Sequence, residues 1–308
     1  MSTIENTMLT SVEGYEPKTN MVFDPPQSGS VPNSTPEIRF KRINIKTKNP
    51  DGSEGELVME TPRVFSFGVS ENVSQESGKI TGYTFPLCLY TRDNPSPEEI
   101  TWVETFDKIV DVCIDHLVNN REEIDQDELT KADLTKSKGG LNPLYWKREK
   151  VKDDKSGKMV WKKVPGQGPT LYTKLIFSKK NDKFVTQVFD VNDEPLEIFD
   201  LMGKYCYTKA AVKIESIFIS GTGKISLQVK LYEAVVEPSA SGMKRLLSRP
   251  KARPQVLSVE DNQNTTSVLD EGSDDEGSLV GSDTDTQEKP APTLKKPVRR
   301  VKKAVVKP

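Results

Sequence analysis

The stretch "KYCYTKAAVKIESIFISGTGKISLQVKLYEAVV", residues 204 to 236, constrains the fold more than any other part of the chain. Two runs of alternating side chains flank the short turn "SGTG", and a period of two is the signature of a strand with one face buried. In the second run Ile225, Leu227, Val229 and Leu231 point one way, and Lys224, Ser226, Gln228, Lys230 and Tyr232 point the other. In the first, Cys206, Thr208, Ala210, Val212 and Ile214 make the small and apolar face, leaving Tyr205, Tyr207, Lys209 and Lys213 opposite. The spacing predicts a β-hairpin with a core side and a wet side.

Further strands are predicted at "EIRFKRINIKT" from 37, "ELVMET" from 56, "RVFSFGV" from 63, "GYTFPLCLY" from 82, "TLYTKLIFS" from 170 and "KFVTQVFD" from 183. Pro86 cannot donate to a ladder, so its strand lies at an edge or a bulge. In the strand from 170, Leu171, Leu175 and Phe177 read as inward and Tyr172 and Lys174 as outward. One helix is announced by "SPEE": Ser96 can cap, Pro97 fits the first turn and Glu99 can complete a capping box. Val103, Phe106, Val110, Cys113, Ile114 and Leu117 recur at helical spacing behind it.

The ends differ in composition. Residues 1–36 hold five prolines among Ser, Asn and Gly, without periodicity, and read as a disordered arm. The folded domain is assigned to 37–240, followed by a basic linker (241–257), an acidic disordered tail (258–288) and a basic C-terminal tail (289–308). The formal net charge of −2 therefore hides segregation: residues 142–180 carry eleven basic side chains against three acidic ones, while 91–135 carry thirteen acidic and four basic. Such asymmetry bears on binding rather than on fold.

Several function classes lose support at this point. Three cysteines sit far apart inside apolar patterns, which suits reduced core thiols. With one histidine, His116, inside a helical pattern, and no paired carboxylates at metal-binding spacing, neither a catalytic residue nor a metal or cofactor site is expected, and the chain reads as a non-enzyme. "GTGK" at 221–224 lacks the spacing of a phosphate loop and is followed by a strand instead of a helix. No run of about 18 apolar residues suggests a membrane span.

What remains is the juxtaposition of rings and cations. "NPLYWKREK" sets Tyr145 and Trp146 against Lys147 and Arg148 in a stretch that reads as loop, and Trp161 is followed by Lys162 and Lys163. Three strands add Tyr172 and Lys174; Tyr205, Tyr207, Lys209 and Lys213; and Lys230 to their non-core faces. A ring can stack on any base while an ammonium pairs with the adjacent phosphate, so these fourteen residues form a candidate single-strand nucleic-acid site. Ordinary strand propensity, with Tyr favouring strands and Lys guarding exposed faces, is the alternative for any one of them.

The strings "RVFSFGV", "GYTFPLCLY", "LNPLYWKRE", "GPTLYTKLIFSKK", "GKYCYTKAAVKIESIFI" and "KISLQVKLYEAVV", in this order, resemble a protein family of the nucleocytoplasmic large DNA viruses. That family is similar to the phage-type single-stranded DNA-binding proteins, and the resemblance covers about 37 to 247. It implies a mainly β (β-rich α+β) fold: an OB-fold-like antiparallel barrel with an inserted helix, long loops and disordered N- and C-terminal tails. It also implies a single-stranded DNA-binding protein of viral replication, recombination or repair, in a cytoplasmic viral factory or the host nucleus, or in the virion. Single-stranded DNA is the expected partner, with viral replication proteins engaged through the acidic tail and a homo-oligomer as further candidate partners, and no membrane. The alternative is a structural or packaging virion protein that binds duplex DNA non-specifically. Phage relatives tend to end in acid, whereas here a basic stretch follows the acidic one.

Overall fold

A computed structural model describes residues 5–31, 37–74, 78–90, 92–136, 139–152, 159–178, 181 and 183–238. In chain order it contains β1 (Met8–Thr10), α1 (Pro17–Asn20), β2 (Met21–Phe23), β3 (Gln27–Ser30), β4 (Arg39–Lys48), β5 (Glu54–Glu60), β6 (Val64–Ser66), β7 (Ser70–Val73) and β8 (Ile80–Cys88). Two helices follow, α2 (Pro97–Asn119) and α3 (Lys131–Leu134), then β9 (Leu144–Tyr145), β10 (Arg148–Lys152), β11 (Met159–Lys163), β12 (Thr170–Leu175), β13 (Phe177–Ser178), β14 (Lys183–Phe184) and β15 (Gln187–Asp190). A 3-10 turn (Ile198–Leu201) leads into the two long strands, β16 (Cys206–Ser220) and β17 (Ile225–Pro238).

The hairpin expected at "SGTG" is β16–β17, closed by hydrogen bonds from Ser220 N to Lys224 O and from Gly223 N to Ser220 O, both 2.9 Å. Gly223 supplies the positive φ that the turn needs. From β16 the ladder runs to β6, β8, β12 and β17, and β17 pairs back with β16. This is a closed five-stranded barrel of OB-like form. Four of its seams are antiparallel, and the fifth, β12 with β17, is parallel through Lys174↔Lys230 and Leu175↔Leu231. Pro86 sits where the neighbouring ladder is interrupted, between the pairs Ser66↔Leu87 and Ser70↔Thr84.

Most of the residues that the alternation set inward, among them Cys206, Thr208, Ala210, Val212, Leu231 and Leu171, are buried, and Phe85 and Leu87, whose faces the sequence reading did not assign, join them. Buried hydroxyls on this side are satisfied by backbone: Thr173 Oγ1 donates to Phe85 O at 2.7 Å and Thr208 Oγ1 to Val235 O at 2.9 Å. Phe177, expected to face inward, instead leaves the barrel as β12 ends and joins Tyr83 and Phe184 in a separate ring cluster. Helix α2 carries the predicted capping box, with Glu99 N donating to Ser96 Oγ and Ser96 N to Glu99 Oε2. Its apolar face, which also includes Trp102 and Ile109, joins the core, and Trp102 Nε1 ties the helix to Glu60 O at 3.0 Å.

The expectation of a disordered arm over 1–36 is corrected for residues 5–31. There β1 pairs in parallel with β5, and β2 and β3 pair with β4, while β4 and β5 both pair with β16. Tyr15 and Met21 are buried, and the Tyr15 hydroxyl lies 3.0 Å from Thr47 Oγ1. The prolines fit this order: Pro17 opens α1, and Pro25 and Pro26 fall between strands. Strands of three or four residues have too few positions to show a period, and their stability comes from the long strand on which they lie. Bulges between Ala211 and Val212 and between Ile214 and Ser216 let β16 serve both layers, because an extra residue bends a strand and increases its twist. The tails from 241 onward lie outside the described residues.

Candidate nucleic-acid interface

Residues directly opposite one another on neighbouring strands share a face of the sheet. On the outer face of the barrel this register builds a line: Tyr207 lies opposite Phe65, Phe65 opposite Cys88, Cys88 opposite Thr170, and Thr170 opposite Tyr145. Two residues along each strand a second line follows, containing Tyr205, Phe67, Pro86 and Tyr172; the last two are register partners. The intervening Cys206, Ser66, Leu87 and Leu171 point into the core. The rings touch edge to face, with centroids 5.7 Å apart for Phe65 and Tyr207, 5.8 Å for Phe67 and Tyr205, and 6.2 Å for Tyr145 and Tyr172. Tyr205, Tyr145 and Tyr172 are 57, 54 and 49% exposed, far more than rings packed as core would be.

Burial raises the Tyr172 phenol above its ordinary range, and the neighbouring Tyr145 and Cys88 add to the shift. Burial also raises the Cys88 thiol, against a smaller opposing contribution from its hydrogen bond with Thr170. The middle of the platform is therefore uncharged at neutral pH. Phe65, Phe67 and Arg63 belong to this surface and were not among the fourteen predicted residues. The signal for them was in "RVFSFGV": Phe65 and Phe67 alternate with Val64 and the small Ser66, so the large rings take the face opposite the barrel interior.

The lysines next to the platform are less free than their exposed alternation suggests. Lys213 Nζ lies 2.7 Å from Glu56 Oε1, and Lys230 Nζ is 2.7 Å from Glu215 Oε1, with lysine side chains only 15 and 19% exposed. Lys209 pairs with Glu60, and Lys174 donates to Gln228 Oε1 at 3.0 Å. Gln228, read as a wet residue, is buried.

The stretch read as a basic loop is a β-hairpin arm, β10–β11. Its register places Arg148, Lys150 and Lys152 opposite Lys163, Trp161 and Met159 on one face, with Glu149 opposite Lys162 on the other. Trp161 and Met159 are both well exposed, and Lys150 Nζ stands 5.1 Å from the Trp161 ring centroid. Lys147, Arg148 and Lys162 are exposed and make no ion pair among the described residues. Trp146 takes a different position. It packs partly buried against the core, edge-on to Tyr90 at 5.9 Å, with Lys163 Nζ 3.5 Å from its centroid. The structure thus gathers Tyr145, Tyr172, Tyr205 and Tyr207 on the barrel, sets Lys147, Arg148, Trp161, Lys162 and Lys163 on or beside the arm, and folds Trp146 inward.

Among the described residues no group of three or more His, Cys, Asp or Glu side chains is placed to hold a metal, and no helix is long and apolar enough to cross a membrane. All three cysteines are free. His116 stacks on Phe23, with ring centroids 3.9 Å apart.

An OB-like barrel with an aromatic outer face and a cationic arm is the class that fold and surface define. The chain matches the family described as "Protein of unknown function (DUF2738)" over residues 14–278, and it belongs to that family. It is 28% identical over 258 residues to "Uncharacterized protein 007R" of Invertebrate iridescent virus 3, a match that takes in 80% of this chain and 52% of the relative. This chain thus spans about half the length of that relative. It is also 26% identical over 232 residues to the "Early 31 kDa protein" of Frog virus 3 (isolate Goorha), covering 73% of this chain and 78% of the relative. Among solved structures, gp2.5, a single-stranded DNA-binding protein encoded by bacteriophage T7, aligns over 69% of this chain and 100% of its own, at 13% identity and a TM-score of 0.34.

Proposed function

We propose that the protein binds single-stranded DNA without strong sequence preference, in the replication, recombination or repair of a viral genome within the infected cell, and that it does so without catalytic turnover. The observation that carries this reading is the register itself: it brings the exposed rings of Tyr145, Tyr172, Tyr205 and Phe67, with Tyr207 and Phe65 beside them, onto one face of a closed barrel from strands that are remote in sequence. A stacking surface is sequence-tolerant because every base has a π-face. The arm supports the same reading, since Lys147, Arg148 and Lys162 stand in solvent ready for phosphates while most lysines of the barrel face are already paired. A duplex hides its bases' faces in the stack, so it offers the platform little and the arm everything.

Fluorescence-polarisation titration of labelled oligo-dT against a matched duplex tests the proposal. The expected result is tighter binding to the single strand, with Tyr145→Ala/Tyr172→Ala losing about 1 to 3 kcal/mol per stacked base. Equal or tighter binding to the duplex, with the double variant unaffected, would favour a packaging role through the arm.

A further inference from the structure

At one end of the aromatic line the Tyr207 ring is covered. The Arg63 guanidinium carbon lies 3.9 Å from its centroid, and Arg63 is held there by Glu237, whose Oε2 accepts from Nη2 at 2.6 Å and from Nε at 2.9 Å. Glu237 is itself the register partner of Tyr207, so β17 presents the carboxylate beside the ring. A carboxylate oxygen that takes two guanidinium N–H groups occupies the position that a phosphate oxygen would occupy.

We propose that Arg63 and Glu237 form a displaceable latch over Tyr207, with Glu237 acting as an internal stand-in for the DNA phosphate. When a single strand arrives, its phosphate draws the guanidinium from Glu237 and the ring face beneath becomes available to a base. The inference rests on the single-strand reading of the platform and adds a regulating contact to it.

Exposure separates this pair from those that hold the barrel together. Lys213–Glu56 and Lys230–Glu215 are 14 to 19% exposed, and breaking either would leave a charge poorly solvated. Arg63 and Glu237 are 55 and 51% exposed, and an ion pair in that setting contributes little to stability. It can exchange partners at low cost. Lys209–Glu60 is similarly exposed, but Lys209 covers no ring among the described residues, so Glu60→Gln isolates the effect of removing a charge from the effect of uncovering Tyr207.

The test measures oligo-dT affinity across a salt series for the full chain and for Glu237→Gln, Glu237→Ala, Arg63→Gln, Arg63→Gln/Glu237→Gln and Glu60→Gln, with photocrosslinking of a 5-iodo-deoxyuridine oligonucleotide to Tyr207 as a second readout. Both Glu237 variants should bind about 3- to 10-fold tighter, with the log–log salt slope steeper by up to about 0.7, because no freed Glu237 carboxylate takes up a cation in exchange for the one released from the phosphate that Arg63 meets. Crosslinking at Tyr207 should rise in them and remain at the wild-type level in Glu60→Gln. Arg63→Gln should bind more weakly, and in that background Glu237→Gln should change nothing. Equal tightening with and without Arg63 would mean general charge repulsion and overturn the latch, as would Glu237 variants that bind like wild type. A wild-type chain that does not bind oligo-dT would instead overturn the platform reading beneath it.

Discussion

Two tryptophans fifteen residues apart face opposite consequences when truncated. Trp146 packs against the core with Tyr90 at its edge and Lys163 above its face, whereas Trp161 is 61% exposed on the arm. Removing a fully buried Trp costs about 3 to 5 kcal/mol, so a partly buried one should cost about half of that. The lost cation–π contact adds about 0.5 to 1 kcal/mol. Trp146→Ala should therefore lose about 2 to 3 kcal/mol of folding stability, a fall in Tm of roughly 5 to 10 °C for a domain of this size. Trp161→Ala should change stability by no more than about 0.5 kcal/mol. If Trp161 stacks on a base, its loss should weaken oligo-dT binding by about 1 to 3 kcal/mol, roughly 5- to 150-fold. Thermal unfolding followed by circular dichroism gives the first quantity, and polarisation titration the second. Indole fluorescence adds an internal control, because Trp102 is buried and quenching by oligo-dT should disappear with Trp161. The reasoning is refuted if Trp146→Ala loses affinity at unchanged Tm while Trp161→Ala keeps both affinity and quenching.

Burial holds the His116 imidazole below its ordinary value of 6.5, against a smaller upward pull from Glu123. The unfolded chain then takes up the proton more readily, so stability should decline as pH falls through 6.5 and level off below the folded-state value, and urea titrations of His116→Gln should lack that decline. Burial raises Asp107, so its protonation favours the folded state and should offset part of the acid loss at lower pH. Replacing Lys147, Arg148 and Lys162 together with Gln should reduce the log–log salt slope of oligo-dT binding by about 2 and leave Tm unchanged. Lys213→Gln should do the reverse, losing about 1 to 3 kcal/mol of stability by stranding Glu56 while sparing the slope. Gly68→Ala should cost about 2 kcal/mol or more in urea unfolding, because Gly68 has φ +80° and a Cβ there would meet the backbone oxygens of Leu201 and Lys204.

The parts of the fold that were legible in the sequence are those whose causes are local. "SGTG" closes its hairpin through bonds within four residues, and the α2 cap needs only Ser96 and Glu99. The order of residues 5–31 is not legible locally because their three strands are held by partners outside them; Met8–Thr10 is a strand because Leu57 to Met59 lie beside it. Likewise, "NPLYWKREK" read as loop because its pairing partner, Met159–Lys163, follows a separate charged run, and a hairpin register is visible only when both strands are in view.

The site divides along the same boundary. Period two assigned Tyr172, Tyr205 and Tyr207 to the outer face, and that assignment needed no neighbour. Whether a lysine on that face is available is a different question, answered by the strand next door. Lys213 reads as free until Glu56, 157 positions away, is set against it. The paired lysines leave the barrel face nearly self-neutral, and the arm keeps its cations in solvent. A field that attracts a polyanion from a distance must therefore originate at the arm, whereas discrimination between stacked and unstacked bases can only occur where the rings are. Attraction and selectivity are thus carried by different side chains, so replacing the arm cations Lys147, Arg148 and Lys162 should change the salt dependence of binding without changing the preference for single strands, and replacing rings, Trp161 on the arm included, should change the preference without changing the salt dependence.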